Sequence, residues 1–119
     1  MKFIKLKTVT DGRGSLSVIE RCLNFDVKRI YYIYGAKGQR GGHAHRKTKQ
    51  ALVAVNGRCN VDVCIDGQFI KVELNDPALC LLLDPEDFHY MDDFSEDCVL
   101  LVLASEFYDE SDYIYKEDI

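Results

Sequence analysis

Apolar residues along this chain recur at every second position or gather in runs of a few residues, and glycine, asparagine, aspartate or proline bounds each stretch. A period of two belongs to strands, whose successive side chains point to opposite faces, whereas a surface helix needs 3.6. The pattern predicts strands at residues 3–9, 16–20, 28–34, 43–45, 51–56, 58–65, 68–74, 79–83 and 99–104, and a further one after the turn led by Pro85, with almost no helix. Asn56-Gly57 and Asp66-Gly67 are dipeptides that suit two-residue hairpin turns, so residues 51–74 are expected to form an antiparallel meander. The tail, residues 105–114, alternates acids with aromatics and reads as a short helix or an extended arm. So many short strands must remove their edges by closing or by packing as two sheets. The expectation is an all-β protein, a small jelly-roll sandwich or barrel spanning residues 1–119 as a single domain.

Composition narrows the function classes. The chain has 119 residues, 47% of them hydrophobic, and a net charge of −5, which suits one globular domain and excludes a general nucleic-acid binder. The longest apolar runs, residues 78–83 and 98–104, fall far short of the roughly 20 residues of a membrane span. The alternating start, Lys2-Phe3-Ile4-Lys5-Leu6-Lys7, is unlike a secretory signal, so a cytoplasmic location is expected. Cys22, Cys59, Cys64, Cys80 and Cys98 are odd in number and form no C-x-x-C pair, so they read as reduced fillers, with Cys59 and Cys64 on opposite faces of one strand.

The average charge hides an asymmetry. Residues 28–49 hold seven bases and no acid, while the rest of the chain carries −12. A basic patch on an acidic body suits a small phosphorylated ligand better than a polyanion. That patch contains His43 and His45, which as i and i+2 on a strand share one face with Cα atoms about 6–7 Å apart; the third histidine, His89, follows the Pro85 turn. Arg29 and Tyr31 likewise share a face, which sets a guanidinium able to meet phosphate beside a phenol. Tyr32 faces the other way as a packing residue. Arg40 is a second candidate phosphate clamp, and Gly41-Gly42 suits either a close backbone approach to ligand or a simple turn.

His43-Ala44-His45, then four residues to Gln50 and six to Gly57, resembles the first cupin motif, with Gln50 in place of the family's Glu; Pro85, His89 and Asp93 resemble the second, one residue shorter and with Asp for Asn. The resemblance implies an RmlC-like jelly roll. Generic cupins bind metal through the two histidines, the Glu and the later histidine, and a neutral amide at Gln50 is a poor substitute for the carboxylate. No metal or other cofactor is therefore expected. Arg13-Gly14-Ser15-Leu16, residues 27–34, Gly42 to Lys47, Val55-Asn56-Gly57, residues 93–100 and residues 103–114 together resemble the sugar 3,4-ketoisomerases, cupin-fold enzymes also found as the WxcM-like domain fused to acyltransferases. The loop at residues 38–43 is shorter than in that family.

The resemblance implies isomerisation of a thymidine-diphosphate-4-keto-6-deoxyglucose to the 3-keto sugar through an enediol, for 3-amino-3,6-dideoxy sugars of surface polysaccharide, by a homodimer followed by an aminotransferase. Such a reaction needs a group that takes and returns a proton near neutrality, the property of histidine. His45 is the leading acid/base candidate, with His43 orienting it or relaying protons between sugar oxygens and Tyr31 supplying a hydrogen bond. Arg29 and Arg40 are assigned to the diphosphate, and Gln50 and His89 to the cavity floor. Two other readings remain: a metal-dependent oxygenase using all three histidines, and a non-catalytic nucleotide-sugar binding module.

Overall fold

The computed structural model describes residues 1–116; the last three residues of the predicted domain lie outside them. Chain order gives β1 (Lys2–Lys5), β2 (Lys7–Asp11), β3 (Gly14–Val18), β4 (Arg29–Tyr34), β5 (Arg40–His45), β6 (Gln50–Asn56), β7 (Cys59–Ile65), β8 (Gln68–Leu74), β9 (Leu79–Leu83), β10 (His89–Asp92), β11 (Val99–Ala104), a 3-10 turn (Glu110–Asp112) and β12 (Tyr113–Tyr115). Two five-stranded sheets, β1-β9-β6-β11-β4 and β12-β5-β10-β7-β8, face each other, and β2 and β3 form a separate ribbon. All pairings are antiparallel. No helix among the described residues is long and apolar enough to cross a membrane.

The core between the sheets follows the period of two. Leu52 and Ala54 of β6, Leu81 and Leu83 of β9, and Leu100 and Val102 of β11 meet Val61 and Val63 of β7 and Met91 of β10. The other face of the first sheet is also buried, because Ala51, Val53, Cys80 and Leu82 are covered by Leu6, Ile19, Leu23 and Phe25. That double burial explains the unbroken apolar run of β6, a pattern for a strand covered on both faces.

Four expectations need correction. The predicted strand 3–9 is two strands, because Leu6 turns into the core and its N–H bonds to the Ala78 carbonyl at 2.7 Å instead of a strand partner. Residues 51–74 are not one meander: β7 and β8 form the Asp66-Gly67 hairpin, but β6 and β7 lie in different sheets. Gly57 (φ +66°) crosses between the sheets, where a Cβ would lie 2.8 Å from Cys98 Cα. Tyr32 does face away from Tyr31, yet it is 61% exposed and lies at a tilt beside Tyr34, with ring centroids 5.8 Å apart. The tail is both a 3-10 turn and a strand, β12 completing the second sheet against β5. Cys59 is buried and Cys64 half-buried, as opposite faces require, and all five cysteines are free thiols.

Candidate functional site

At one end of the sandwich the inward-facing positions change from apolar to polar. In the first sheet, Arg29, Ala104 and Gln50 form one cross-strand row, and Tyr31 lies two residues further along β4. In the second sheet, Tyr115, His43 and His89 form a row, with Tyr113 opposite His45. These side chains use the same inward face as the core, so the site is its polar continuation.

Gly41 and Gly42 serve the strand geometry. His89 pairs with His43 while Tyr90 pairs with Gly41, so β5 carries an extra residue as a bulge. Both glycines have positive φ, +87° and +83°, and a Cβ on Gly41 would lie 2.9 Å from the His89 carbonyl oxygen. The bulge lets β5 approach β10 closely and sets the direction of His43.

His45 is buried, and its Nδ1 lies 2.8 Å from Asp112 Oδ2. The same carboxylate accepts the Thr48 hydroxyl and the Lys47 and Arg46 backbone N–H groups. Burial alone would raise the Asp112 pKa, but hydrogen bonds from Thr48, Lys47 and His45 outweigh it and hold the carboxyl below its ordinary value. Burial lowers the His45 pKa, with Asp112 opposing. The pair is thus a neutral imidazole beside a carboxylate: Nδ1–H donates to Asp112, and Nε2, buried and without a partner among the described residues, keeps its lone pair.

His43 packs on that ring, centroids 5.0 Å apart, and on His89 at 5.5 Å. Desolvation, then the His89 and His45 rings, push its pKa down to about 4. His89 is fully buried, its Nδ1 2.9 Å from the Asp87 carbonyl, and burial lowers its pKa. All three histidines are accordingly neutral at pH 7.

A cleft of about 300 Å³ opens over His43, walled by Tyr31, Ile33, Met91 and Tyr113 and flanked by Arg29, Arg40 and Tyr108. The Arg29 guanidinium carbon lies 5.0 Å from the Tyr31 ring centroid and 5.6 Å from that of Tyr108, and its buried Nε lacks a partner among the described residues. Gln50 Nε2 donates to the Tyr31 hydroxyl at 3.1 Å.

The structure brings His43, His45, His89, Tyr31, Gln50, Arg29 and Arg40 to one end of the sandwich. It divides the basic segment, however: Lys28, Lys47 and Lys49 line a separate cleft with Asp26 and Glu106. Asp112, Thr48, Tyr108 and Tyr113 were not among the candidates. Asp112 is one acid among several in the tail, and the only signal covering it was the resemblance of residues 103–114.

The three imidazoles do not fit a resident metal ion. Among the described residues no three or more His, Cys, Asp or Glu side chains converge as ligands. Gln50 brings a neutral amide rather than a carboxylate to this end of the sandwich, and the Asp112 carboxylate is taken up at His45 Nδ1.

The profile of the family described as FdtA: WxcM-like, C-terminal, matches residues 1–118. A TDP-4-oxo-6-deoxy-alpha-D-glucose-3,4-oxoisomerase of Aneurinibacillus thermoaerophilus is 48% identical over 122 residues, covering 98% of this chain and 87% of that protein. The crystal structure of QdtA, a sugar 3,4-ketoisomerase from Thermoanaerobacterium thermosaccharolyticum in complex with TDP, matches with a TM-score of 0.94 at 43% identity, over 98% of this chain and 88% of that one. The dTDP-6-deoxy-D-glucose-3,5-epimerase RmlC of Legionella pneumophila shares the fold, with a TM-score of 0.77 at 15% identity over 93% of this chain and 69% of that one. The architecture is the RmlC-like cupin jelly roll, and the chain belongs to the WxcM-like (FdtA) family of that fold.

Proposed function

We propose that this protein is a thymidine-diphosphate-4-keto-6-deoxyglucose 3,4-ketoisomerase. The observation that carries the reading is the unpartnered Nε2 of His45, held as a base by Asp112 beside a cleft with two arginines at its edge. The 48% identical oxoisomerase supports the same reading. Arg29 and Arg40 take the diphosphate by parallel N–H donors, and the sugar reaches down to the histidines.

His45 Nε2 removes the C3 proton, which the neighbouring C4 carbonyl acidifies. The electron pair forms the C3–C4 double bond and C4–O becomes an enolate oxygen, to which the Tyr31 hydroxyl donates a hydrogen bond. His43 passes the O3 proton to O4, the C3–O bond becomes the new carbonyl, and C4 receives a proton from His45. Atoms and charge balance with no redox partner. Tyr31, deep in the site, has its phenol pKa raised by burial and stays protonated, as a donor must.

The protein acts in this reading as a cytoplasmic homodimer. Five free thiols suit a reducing compartment. The solvent-exposed β2–β3 ribbon, with Val9 opposite Leu16, and the exposed Ile30, Tyr32 and Tyr34 of β4 offer apolar surface for a second copy. The 3-keto product is a substrate for an aminotransferase, leading to 3-amino-3,6-dideoxy sugars for surface polysaccharide, lipopolysaccharide or S-layer glycan.

The test is proton NMR of the purified protein with thymidine-diphosphate-4-keto-6-deoxyglucose in deuterated water. A 3-keto product with deuterium at the reacting carbon, abolished in His45→Asn and unchanged by a chelator, is the expected result. Tight binding without turnover would refute isomerase activity in favour of a binding module.

A further inference from the structure

Gln50 begins β6, where the polar row meets the core, and its side chain is almost wholly buried. Its Nε2 lies 3.1 Å from the Tyr31 hydroxyl, while its Oε1 is buried and has no partner among the described residues. An amide N–H can only donate, so the Tyr31 oxygen accepts here and its own proton must point elsewhere. The Tyr31 ring borders the cleft together with Arg29 on its own strand, Arg40 and His43 of β5, and Tyr108 and Tyr113 of the tail. The guanidinium groups only donate, so neither can take the phenolic proton from a ligand oxygen.

We propose that Gln50 is a positioning residue which, by donating to the Tyr31 oxygen, forces the phenolic proton into the cleft as a fixed donor to the substrate oxygen that gains charge. This deepens the isomerase reading and rests on it. It also gives a physical reason for an amide at this position. A carboxylate there would accept the Tyr31 hydrogen bond itself and leave the enolate without its donor. The amide therefore fixes the polarity of a two-membered chain, Gln50 to Tyr31 to ligand, whose direction a carboxylate reverses. Because the chain ends on the reacting oxygen, its reversal changes the rate of the chemical step more than the binding of the nucleotide.

Two measurements separate this from a packing role. In the first, kcat and KM are compared for wild type, Gln50→Glu, Tyr31→Phe and the double variant. The expected result is a kcat about 10²-fold lower in Gln50→Glu, matching Tyr31→Phe, with KM little changed and no further loss in the double variant. Wild-type kcat in Gln50→Glu, or losses that add in the double variant, would overturn the proposal. In the second, 3-fluorotyrosine is incorporated and the fluorine resonance lost in Tyr31→Phe is titrated in wild type and Gln50→Leu. Removing a donor makes the phenolate harder to form, so the Tyr31 midpoint rises in Gln50→Leu; removing an acceptor lowers it. A lowered or unchanged midpoint would overturn the proposal. A wild-type protein without turnover would refute the isomerase reading alone, because the fluorine titration decides the direction of the Gln50–Tyr31 bond without substrate.

Discussion

Asp112 Oδ2 accepts the Nδ1 proton of His45 at 2.8 Å, joining residues 67 positions apart in the chain. The carboxylate is itself fixed by Thr48 and by the Lys47 and Arg46 backbone N–H groups, so it holds the imidazole in one tautomer. Nε2 is left as the basic atom. The two histidines of the His43-Ala44-His45 motif, equivalent in sequence, are distinguished by this contact.

Asp112→Asn is therefore expected to lower kcat by about 10³-fold, since the amide can present its N–H side to Nδ1 and favour the wrong tautomer. KM should change little, because Asp112 does not line the cleft. Steady-state kinetics on the sugar nucleotide checks this, and a variant within threefold of wild type would remove Asp112 from the mechanism.

Acid should weaken both fold and activity. His43 is depressed from 6.5 to about 4, and His45 and His89 are also lowered, each first by burial. Between the unfolded and folded values the unfolded chain binds more protons, so the stability conferred by neutral histidines is full above pH 6.5 and is lost as pH falls towards 4. Asp112, with its pKa lowered, adds a further loss below the ordinary carboxylate value of 3.8. Thermal midpoints at pH 7.5, 5.5 and 4.5 should fall in that order; equal midpoints at 7.5 and 5.5 would contradict it.

Arg29→Ala should weaken substrate binding more than chemistry. The guanidinium lies between the Tyr31 and Tyr108 rings, with a buried Nε awaiting a partner. Loss of a charge-assisted hydrogen bond of about 1.5–3 kcal/mol predicts a Kd for thymidine diphosphate raised about 10- to 150-fold. Calorimetric titration at two salt concentrations would show the change, together with a shallower salt dependence in the variant.

Gly41→Ala should damage the site through the backbone. Its φ of +87° disfavours a side chain, and the added Cβ would meet the His89 carbonyl oxygen at 2.9 Å. A cost of about 1–3 kcal/mol is expected, with kcat lowered because β5 and β10 must separate beneath His43 and His89. Gly38→Ala has a similar φ, +80°, but open space around the added carbon. It should cost less stability and leave kcat near wild type, as thermal unfolding and kinetics of the two variants would show.

The local sequence determined most of the strands, the Asp66-Gly67 hairpin, the shared inward face of Arg29 and Tyr31 and the pairing of His43 with His45 on one side of β5. All of these follow from the period of two and from turn chemistry, which act over a few residues. Only the tertiary structure decided that β6 and β7 part company at Gly57, because an Asn-Gly dipeptide permits a hairpin without requiring one and the burial of β6 on both faces places it between β9 and β11. The same holds for Asp112. Nothing in its neighbourhood distinguishes it from Asp109, and it becomes the partner of His45 only because β12 adds to the edge of β5. Period and turn propensity are properties of neighbours in the chain, whereas the choice of base and the direction of the Tyr31 proton come from contacts made when distant strands meet.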